Sequence, residues 1–264
     1  MKNKSGLIRT TAVLLLLSAN VLLSSCAAVT APDKRDPWES FNRSVDAFNT
    51  GFDKAIGRPV AQTYKDYTPG PVQTGVSNFF SNLNDLVVVV NDLLQFKFQQ
   101  AAQDLSRLAF NTTAGLLGFI DVSSPMGLPK HHEDFGQTLA TWGVGSGPYL
   151  VLPFLGPNTV RDTTGLVGDA YVDPLFDIRN RDSRWGAIIL RAIDTRASLL
   201  EASRIMEKSG IDPYVFMRNA YLQHRENLIY DGNPPRPKIA PSTKGDQELQ
   251  DELDKELQLD TPSK

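Results

Sequence analysis

His131, His132, Glu133 and Asp134 form the densest run of metal-ligating or proton-moving side chains in the 264-residue chain. The spacing is wrong for a metal. Adjacent histidines diverge on any regular backbone, and no His-Glu-x-x-His pattern is formed. Gly143-Val144-Gly145-Ser146-Gly147-Pro148 has the composition of a phosphate-cradling loop, but Pro148 stands where a dinucleotide loop requires glycine, and no strand-to-helix context surrounds it. There is no Gly-Lys dipeptide for a P-loop, no serine with glycines at both ±2 positions, and no Ser-x-x-Lys. His224 shares a helical face with Met217 and Tyr221 and reads as a hydrogen-bonded core or interface histidine. The expectation is a protein without catalytic residues, metal site or cofactor.

Cys26 is the one cysteine, which excludes a disulfide framework and a thiolate metal cage. Its setting gives it another chemistry. Lys2, Lys4 and Arg9 precede an apolar run from Ala12 to Leu23, too short and too poorly flanked to span a bilayer, as in an export signal. Leu23-Ser24-Ser25-Cys26 then resembles a lipobox, where cleavage exposes a cysteine that becomes acylated. Three acyl chains, at about 0.8 kcal/mol per buried CH₂, anchor a protein for good. Ala27 follows where Asp would mark inner-membrane retention, which points to the outer membrane. The predicted organisation is a signal peptide at 1–25, an acylated tether at 26–35, a folded domain at 36–232, and a Pro-rich linker with an acidic tail at 233–264.

The composition, 41% apolar, 22% charged and 9% aromatic, suits a chain that buries a core. Net charge is −3, and losing Lys2, Lys4 and Arg9 leaves 24 basic against 30 acidic residues, net −6. Nucleic acid is therefore an unfavourable partner.

The elements follow from periodicity. Asp36-Pro37-Trp38-Glu39 offers an N-cap, a proline at N1 and a glutamate at N3, starting a helix that runs to about Ile56. Trp38, Phe41, Val45, Phe48 and Phe52 form one stripe, most simply its core-facing side. Gly57, Pro59, Pro69, Gly70 and Pro71 predict a connection. Val72 to Leu83 suggests a second helix, and further helices follow through Leu93 to Phe98 and Ala101 to Ala109, with Asp104 and Arg107 on the polar side. Leu86 to Val90 could be a buried strand by itself, but its neighbours favour helix. Trp185 to Leu200 and a segment opening at Asp212-Pro213 complete a mainly α pattern; no Asn-Gly-type hairpin signal sits between strand-like runs.

Phe135 to Val160 is different: 26 residues without one charge. As a helix it would extend about 39 Å, but five glycines and three prolines forbid that. Three readings remain open: a buried loop, an interfacial hairpin, or backbone lining a cavity at membrane depth, where irregular structure is tolerated.

Several ordered blocks resemble the MlaA (VacJ) family of outer-membrane lipoproteins. They are Asp36-Pro37-Trp38-Glu39-Ser40-Phe41-Asn42-Arg43, Arg58-Pro59-Val60-Ala61, Gly75-Val76-Ser77-Asn78-Phe79-Phe80, Asn111-Thr112-Thr113-Ala114-Gly115, Glu133 to Leu139 and Trp142 to Tyr149. Asp194-Thr195-Arg196-Ala197 and Asp212-Pro213-Tyr214 are similar to later blocks, so the likeness spans about residues 36 to 230. The resemblance implies an all-α helical ring sunk in the periplasmic leaflet of the outer membrane around a central channel, held beside a trimeric porin. Phospholipid misplaced in the outer leaflet would pass through it to a soluble periplasmic carrier, with no enzymatic step. By the same carry-over Trp142, Gly143, Val144, Gly145, Gly147, Pro148 and Tyr149 would line the channel. Phe41, Asn42, Phe48 and Asn49 would form a ring wall or gate. A scaffolding lipoprotein that tethers a porin or envelope complex is the alternative.

Overall fold

The computed structural model describes residues 33–208 and 212–235. Cys26, the leader, most of the tether and the acidic tail lie outside the described residues. Two compact units divide the chain, one up to Leu222 and one from Gln223 onward. The first carries nearly all of the architecture; the second holds the end of the last helix and the turn after it.

Helix α1 spans Glu39–Phe52 and passes without a break through one π turn, Asp53–Gly57, into α2, Arg58–Tyr67. The predicted connection at Gly57 and Pro59 is thus helical. Pro59 lacks an N–H and would strike the carbonyl of Ala55 in a regular helix. Widening by one residue absorbs the conflict, and the Arg58 N–H donates to the Asp53 carbonyl five residues back. Arg196 clasps the Asp53 carboxylate through Nε and Nη2 at 2.6 and 2.8 Å and pins the bulge. The cap prediction is also corrected. The helix starts on Trp38 with no side-chain cap, because Asp36 is drawn into a buried network.

Helix α3, Gly70–Leu94, absorbs the whole Leu86–Val90 run, and a three-residue connection returns the chain as α4, Phe98–Thr113, packed on α3. Helix α5, Phe135–Thr141, is capped by Asp134, which accepts the Gln137 N–H at 2.9 Å. Helix α6, Val160–Val172, packs on it. A Cβ on Gly165 would lie 2.5 Å from the Gly136 nitrogen, so only glycine permits this crossing. Between α5 and α6 stand β1, Tyr149–Leu152, and β2, Gly156–Thr159, an antiparallel hairpin with Tyr149 opposite Thr159 and Leu152 opposite Gly156. Helix α7, Arg181–Ser198, packs on α2 and α3, where Asp194 accepts hydroxyls from Tyr64 and Ser77 at 3.1 and 2.7 Å. Helices α8, Leu200–Lys208, and α9, Pro213–Ile229, end the described chain. The all-α expectation holds; the hairpin is its one β element among the described residues.

The distribution of side chains departs from a water-soluble core. Among the described residues twelve apolar side chains are buried, against twenty-two polar or charged ones, Asp85, Asp92, Asp104 and Arg107 included. Aspartates are almost never fully buried unless partnered. Meanwhile Phe41, Phe48, Phe52, Ile56, Phe96, Phe98, Leu105, Phe110, Trp142 and Trp185 are exposed. Two expectations reverse here: the aromatic stripe of α1 faces outward, and Asp104 and Arg107 lie on the buried side of α4. Both follow if the surroundings are not water. No described helix is long and apolar enough to cross a membrane.

Candidate functional site

The repeated dipeptide Phe-Asn, at Phe41-Asn42 and Phe48-Asn49, puts two carboxamides seven residues apart on α1. Seven helical residues rise about 10.5 Å, which matches three strand residues at about 10 Å. The hairpin uses that match. Asn42 Nδ2 donates to the Tyr149 carbonyl at 3.0 Å while its Oδ1 accepts the Val151 N–H at 2.9 Å. Three strand residues on, Asn49 Nδ2 donates to the Leu152 carbonyl at 2.9 Å and its Oδ1 accepts the Phe154 N–H at 2.8 Å. The free edge of β1 is thereby satisfied by these side chains and by the Arg35 carbonyl, which accepts the Tyr149 N–H at 2.8 Å, in place of a third strand. On the other flank, Phe154 at the hairpin tip meets Phe48 and Phe52 edge-on, with centroids at 5.3 and 5.0 Å, and all three rings remain exposed.

Beneath the hairpin is a polar knot. Asn42 Nδ2 also donates to Asp36 Oδ1 at 2.8 Å, and Asp36 Oδ2 accepts from the Tyr214 hydroxyl at 2.5 Å and Arg218 Nη1 at 3.0 Å. Tyr149 packs edge-on to Tyr214 and Tyr221, both with centroids at 6.2 Å. Burial raises the Tyr149 phenol well above its ordinary range, and it raises Tyr214 too, helped there by the bond to Asp36. Both phenols are therefore neutral, and that of Tyr214 donates to Asp36.

The predicted site residues therefore separate. Trp142, Gly143, Val144, Gly145 and Gly147 are exposed, and Pro148 is half-buried. Gly143, at φ +90, ends α5 with the Val144 N–H bonded back to the Leu139 carbonyl, and a Cβ on Gly143 or Gly145 would meet open space. Trp142 is fixed by its Nε1 donating to the Leu94 carbonyl at 3.1 Å. Tyr149 and Asn42, by contrast, are 1% and 0% exposed, so they support this surface from inside and do not form it. Asn49 is half-buried on the hairpin, while Phe41 and Phe48 are outward. His224 is exposed, so of its two expected settings, core or interface, the core is ruled out.

A second polar interior joins α3, α4 and the segment that leads into α5. Glu133 receives Lys97 Nζ at 2.8 Å, Gln95 Nε2 at 2.9 Å and Gln100 Nε2 at 2.9 Å. His131 Nδ1 lies 2.7 Å from Asp104, and Lys130 pairs with Asp85. Asp92 accepts Gln100 at 2.7 Å; burial pushes its carboxyl up to about 7, with Asp104 and Glu133 adding to the rise. Sequence reading missed this interior, since Asp92 and Asp104 look like the solvated side of two amphipathic helices. The one available signal was the apolar residues on both faces, Leu93, Phe96 and Phe98 beside Leu105 and Leu108. Among the described residues no group of three His, Cys, Asp or Glu side chains is arranged to hold a metal.

Comparison with known proteins gives these features a context. A family described as MlaA lipoprotein matches residues 34–228. Proteins named intermembrane phospholipid transport system lipoprotein MlaA, from Escherichia coli (strain K12) and Shigella flexneri, are 38% identical over 245 residues, 90% of this chain and 95% of theirs. An uncharacterised protein of Rickettsia felis is 39% identical over 207 residues, 77% of this chain and 82% of its own. A solved structure reported as the structural basis for maintenance of bacterial outer membrane lipid asymmetry superposes with TM-score 0.66 at 35% identity, covering 75% of this chain and 99% of that one. With a match across most of its length and relatives at this level of identity, the chain belongs to the MlaA lipoprotein family.

Proposed function

We propose that this lipoprotein sits in the periplasmic leaflet of the outer membrane, forms a ring around a passage, and removes phospholipid misplaced in the outer leaflet. The carrying observation is the inverted partition of side chains: phenylalanines and tryptophans outside, aspartates, asparagines and arginines inside. Each exposed large apolar side chain gains about 1.5–3 kcal/mol when lipid covers it, and polar groups gathered inside avoid the several kcal/mol that charge costs in hydrocarbon. Among the described residues no helix is long and apolar enough to cross a membrane, and an exposed apolar surface on such a fold suits residence in one leaflet. The transport systems named for its relatives support the lipid cargo.

Shelter is what the cargo needs. Two chains of about 15 methylenes exposed to water at about 0.8 kcal/mol each cost on the order of 25 kcal/mol, so a phospholipid does not leave a membrane unaided. The uncharged turn Trp142 to Pro148, glycine-rich and open on one side, is the surface we assign to the passage, and Phe41 and Phe48 on α1 are assigned to its wall. A soluble periplasmic carrier would take the lipid onward, and a trimeric porin would hold the assembly. The chain has no nucleotide-binding motif, so its own step runs downhill, with direction imposed by partners. Binding and conducting lipid asks for no catalytic residue.

Deleting the chain from its bacterium should raise outer-leaflet phospholipid and detergent sensitivity, measured by leaflet-selective labelling; unchanged asymmetry would overturn the reading. A photocrosslinker at Val144, which is exposed, should capture phospholipid in cells. A scaffold that merely tethers a porin would yield protein adducts there and no lipid.

A further inference from the structure

The connection after α4 carries Ala114-Gly115-Leu116-Leu117-Gly118-Phe119-Ile120, and four of its side chains stand exposed: Leu116 65%, Leu117 64%, Phe119 45% and Ile120 51%. Nothing about the backbone lets them fold back. Leu116 and Leu117 occupy the left-handed region, φ 54 and 60, where leucine is rarely found. Gly118, at φ 91, lies so close to Asn82 that an added Cβ would come within 2.5 Å of its side chain. Phe119 stacks on Phe79 with centroids at 5.0 Å, and its carbonyl accepts from Asn78 Nδ2 at 3.3 Å. Two unfavourable conformations are thus held in place by packing that keeps a pair of leucines outward.

The hydrogen bonds are compatible with a loop that leaves water. The Leu117 N–H donates to the Thr112 carbonyl, Gly118 to Asn111, Phe119 to Leu116 and Ile120 to Gly115, at 2.8 to 3.3 Å. Just beyond, Asn111 Oδ1 accepts the Val122 and Ser123 N–H groups at 2.9 and 3.1 Å. Turns in water also close such bonds, but a loop that enters hydrocarbon depends on them, and here four successive N–H groups, Leu117 to Ile120, are met within the chain. No charged residue occurs from Leu108 to Ile120, whereas a protein-binding patch carries a polar rim. Helix α4, leading into the loop, also exposes Phe98, Leu105 and Phe110, so the tip continues an apolar surface.

We propose that residues 114–120 are a preformed wedge that enters the acyl-chain region of the bilayer and fixes how deep the protein sits. This rests on the membrane reading above and adds which point goes deepest. The test uses full-length protein carrying a genetically encoded azide at Leu117, labelled with the fluorophore NBD and reconstituted into phosphatidylethanolamine–phosphatidylglycerol vesicles. The lipids carry bromine either near the glycerol or near the chain midpoint. The same label at Phe98 reports general immersion, and one at Ile120, outside the left-handed pair, guards against a local fold defect at Leu117. Deep bromines should quench the Leu117 and Ile120 labels at least twofold more than shallow ones. Quenching at Phe98 with none at Leu117 and Ile120 would overturn the wedge and leave the membrane reading standing; no quenching anywhere would remove both. A photocrosslinker at Leu117 that captured only another protein in cells would also overturn the wedge and make this a protein contact.

Discussion

Where β1 meets α1, the buried polar groups are neutral carboxamides bonded to backbone; where α3 meets α4 and the approach to α5, they are carboxylates and their partners. Both regions remove polar atoms from the surroundings, but by different physics. Asn42 uses one donor nitrogen and one acceptor oxygen on three fixed partners, the Tyr149 carbonyl, the Val151 N–H and the Asp36 carboxylate. Asp92 and Asp104 are both fully buried, and Asp92 Oδ2 and Asp104 Oδ1 lack hydrogen-bond partners. The first arrangement holds β1 through carboxamide and backbone groups that carry no charge, whereas the second is sensitive to protons.

The sharpest way to break that contrast is to remove the carboxamide. Asn42→Leu keeps the volume but strands the Tyr149 carbonyl, the Val151 N–H and part of Asp36 in a dry interior. At roughly 1 to 3 kcal/mol per buried group left unsatisfied, partly relieved by relaxation, the loss should be about 3 kcal/mol. Urea unfolding in detergent micelles measures it, and the loss should be the same at pH 5 and pH 8. A loss under about 1 kcal/mol would mean that β1 keeps its place without α1.

The acidic interior should respond with the opposite sign. Asp92 faces Gln100, Asp104 and Glu133, and its carboxyl titrates near 7 in the folded protein against about 3.9 when unfolded. A raised pKa means that the folded state holds the proton more tightly. Its contribution is therefore complete below about pH 4, declines as pH rises from there, and is gone above 7. Asp92→Asn mimics the protonated form at every pH. It should leave stability near pH 4.5 unchanged and raise it by about 1–2 kcal/mol at pH 8, a gain kept well below the full linkage value because the surrounding structure relaxes around the charged form. Parallel pH profiles of the two proteins would contradict the assignment.

Legibility divided along the same line. The α-helices were readable because Trp185, Ile188, Ile189 and Ala192 or Met217, Ala220 and Tyr221 keep helical spacing whatever surrounds them. Which face turns inward was not, because periodicity locates an apolar stripe without saying whether protein or lipid covers it. The spacing of Phe41, Phe48 and Phe52 fits a core-facing stripe equally well, yet all three stand outside the core. The hairpin was hidden because a Pro153-Phe154-Leu155 tip carries no Asn-Gly signal, with Phe154 itself at φ 63. Its polar support was half visible: the repeat Phe41-Asn42, Phe48-Asn49 was readable as a motif, but its role as a stand-in strand depends on a partner more than a hundred residues away.

The smallest effect comes from the outer rung of that support. Asn49 is half-buried, so water can replace the bonds it makes to the Leu152 carbonyl and the Phe154 N–H once it is removed. Asn49→Ala should therefore cost about 1 kcal/mol, the net worth of an ordinary hydrogen-bonded pair rather than the penalty for stranding one. Its signature should be local: faster amide exchange at Phe154 and loss of its edge-on packing with Phe48 and Phe52, while the Val151 amide, held by Asn42, stays protected. If both amides opened together, the two carboxamides would act as one clasp, and the hairpin would leave α1 as a unit. If only Phe154 opened, the inner rung alone would anchor the strand and the aromatic tip could move independently of it.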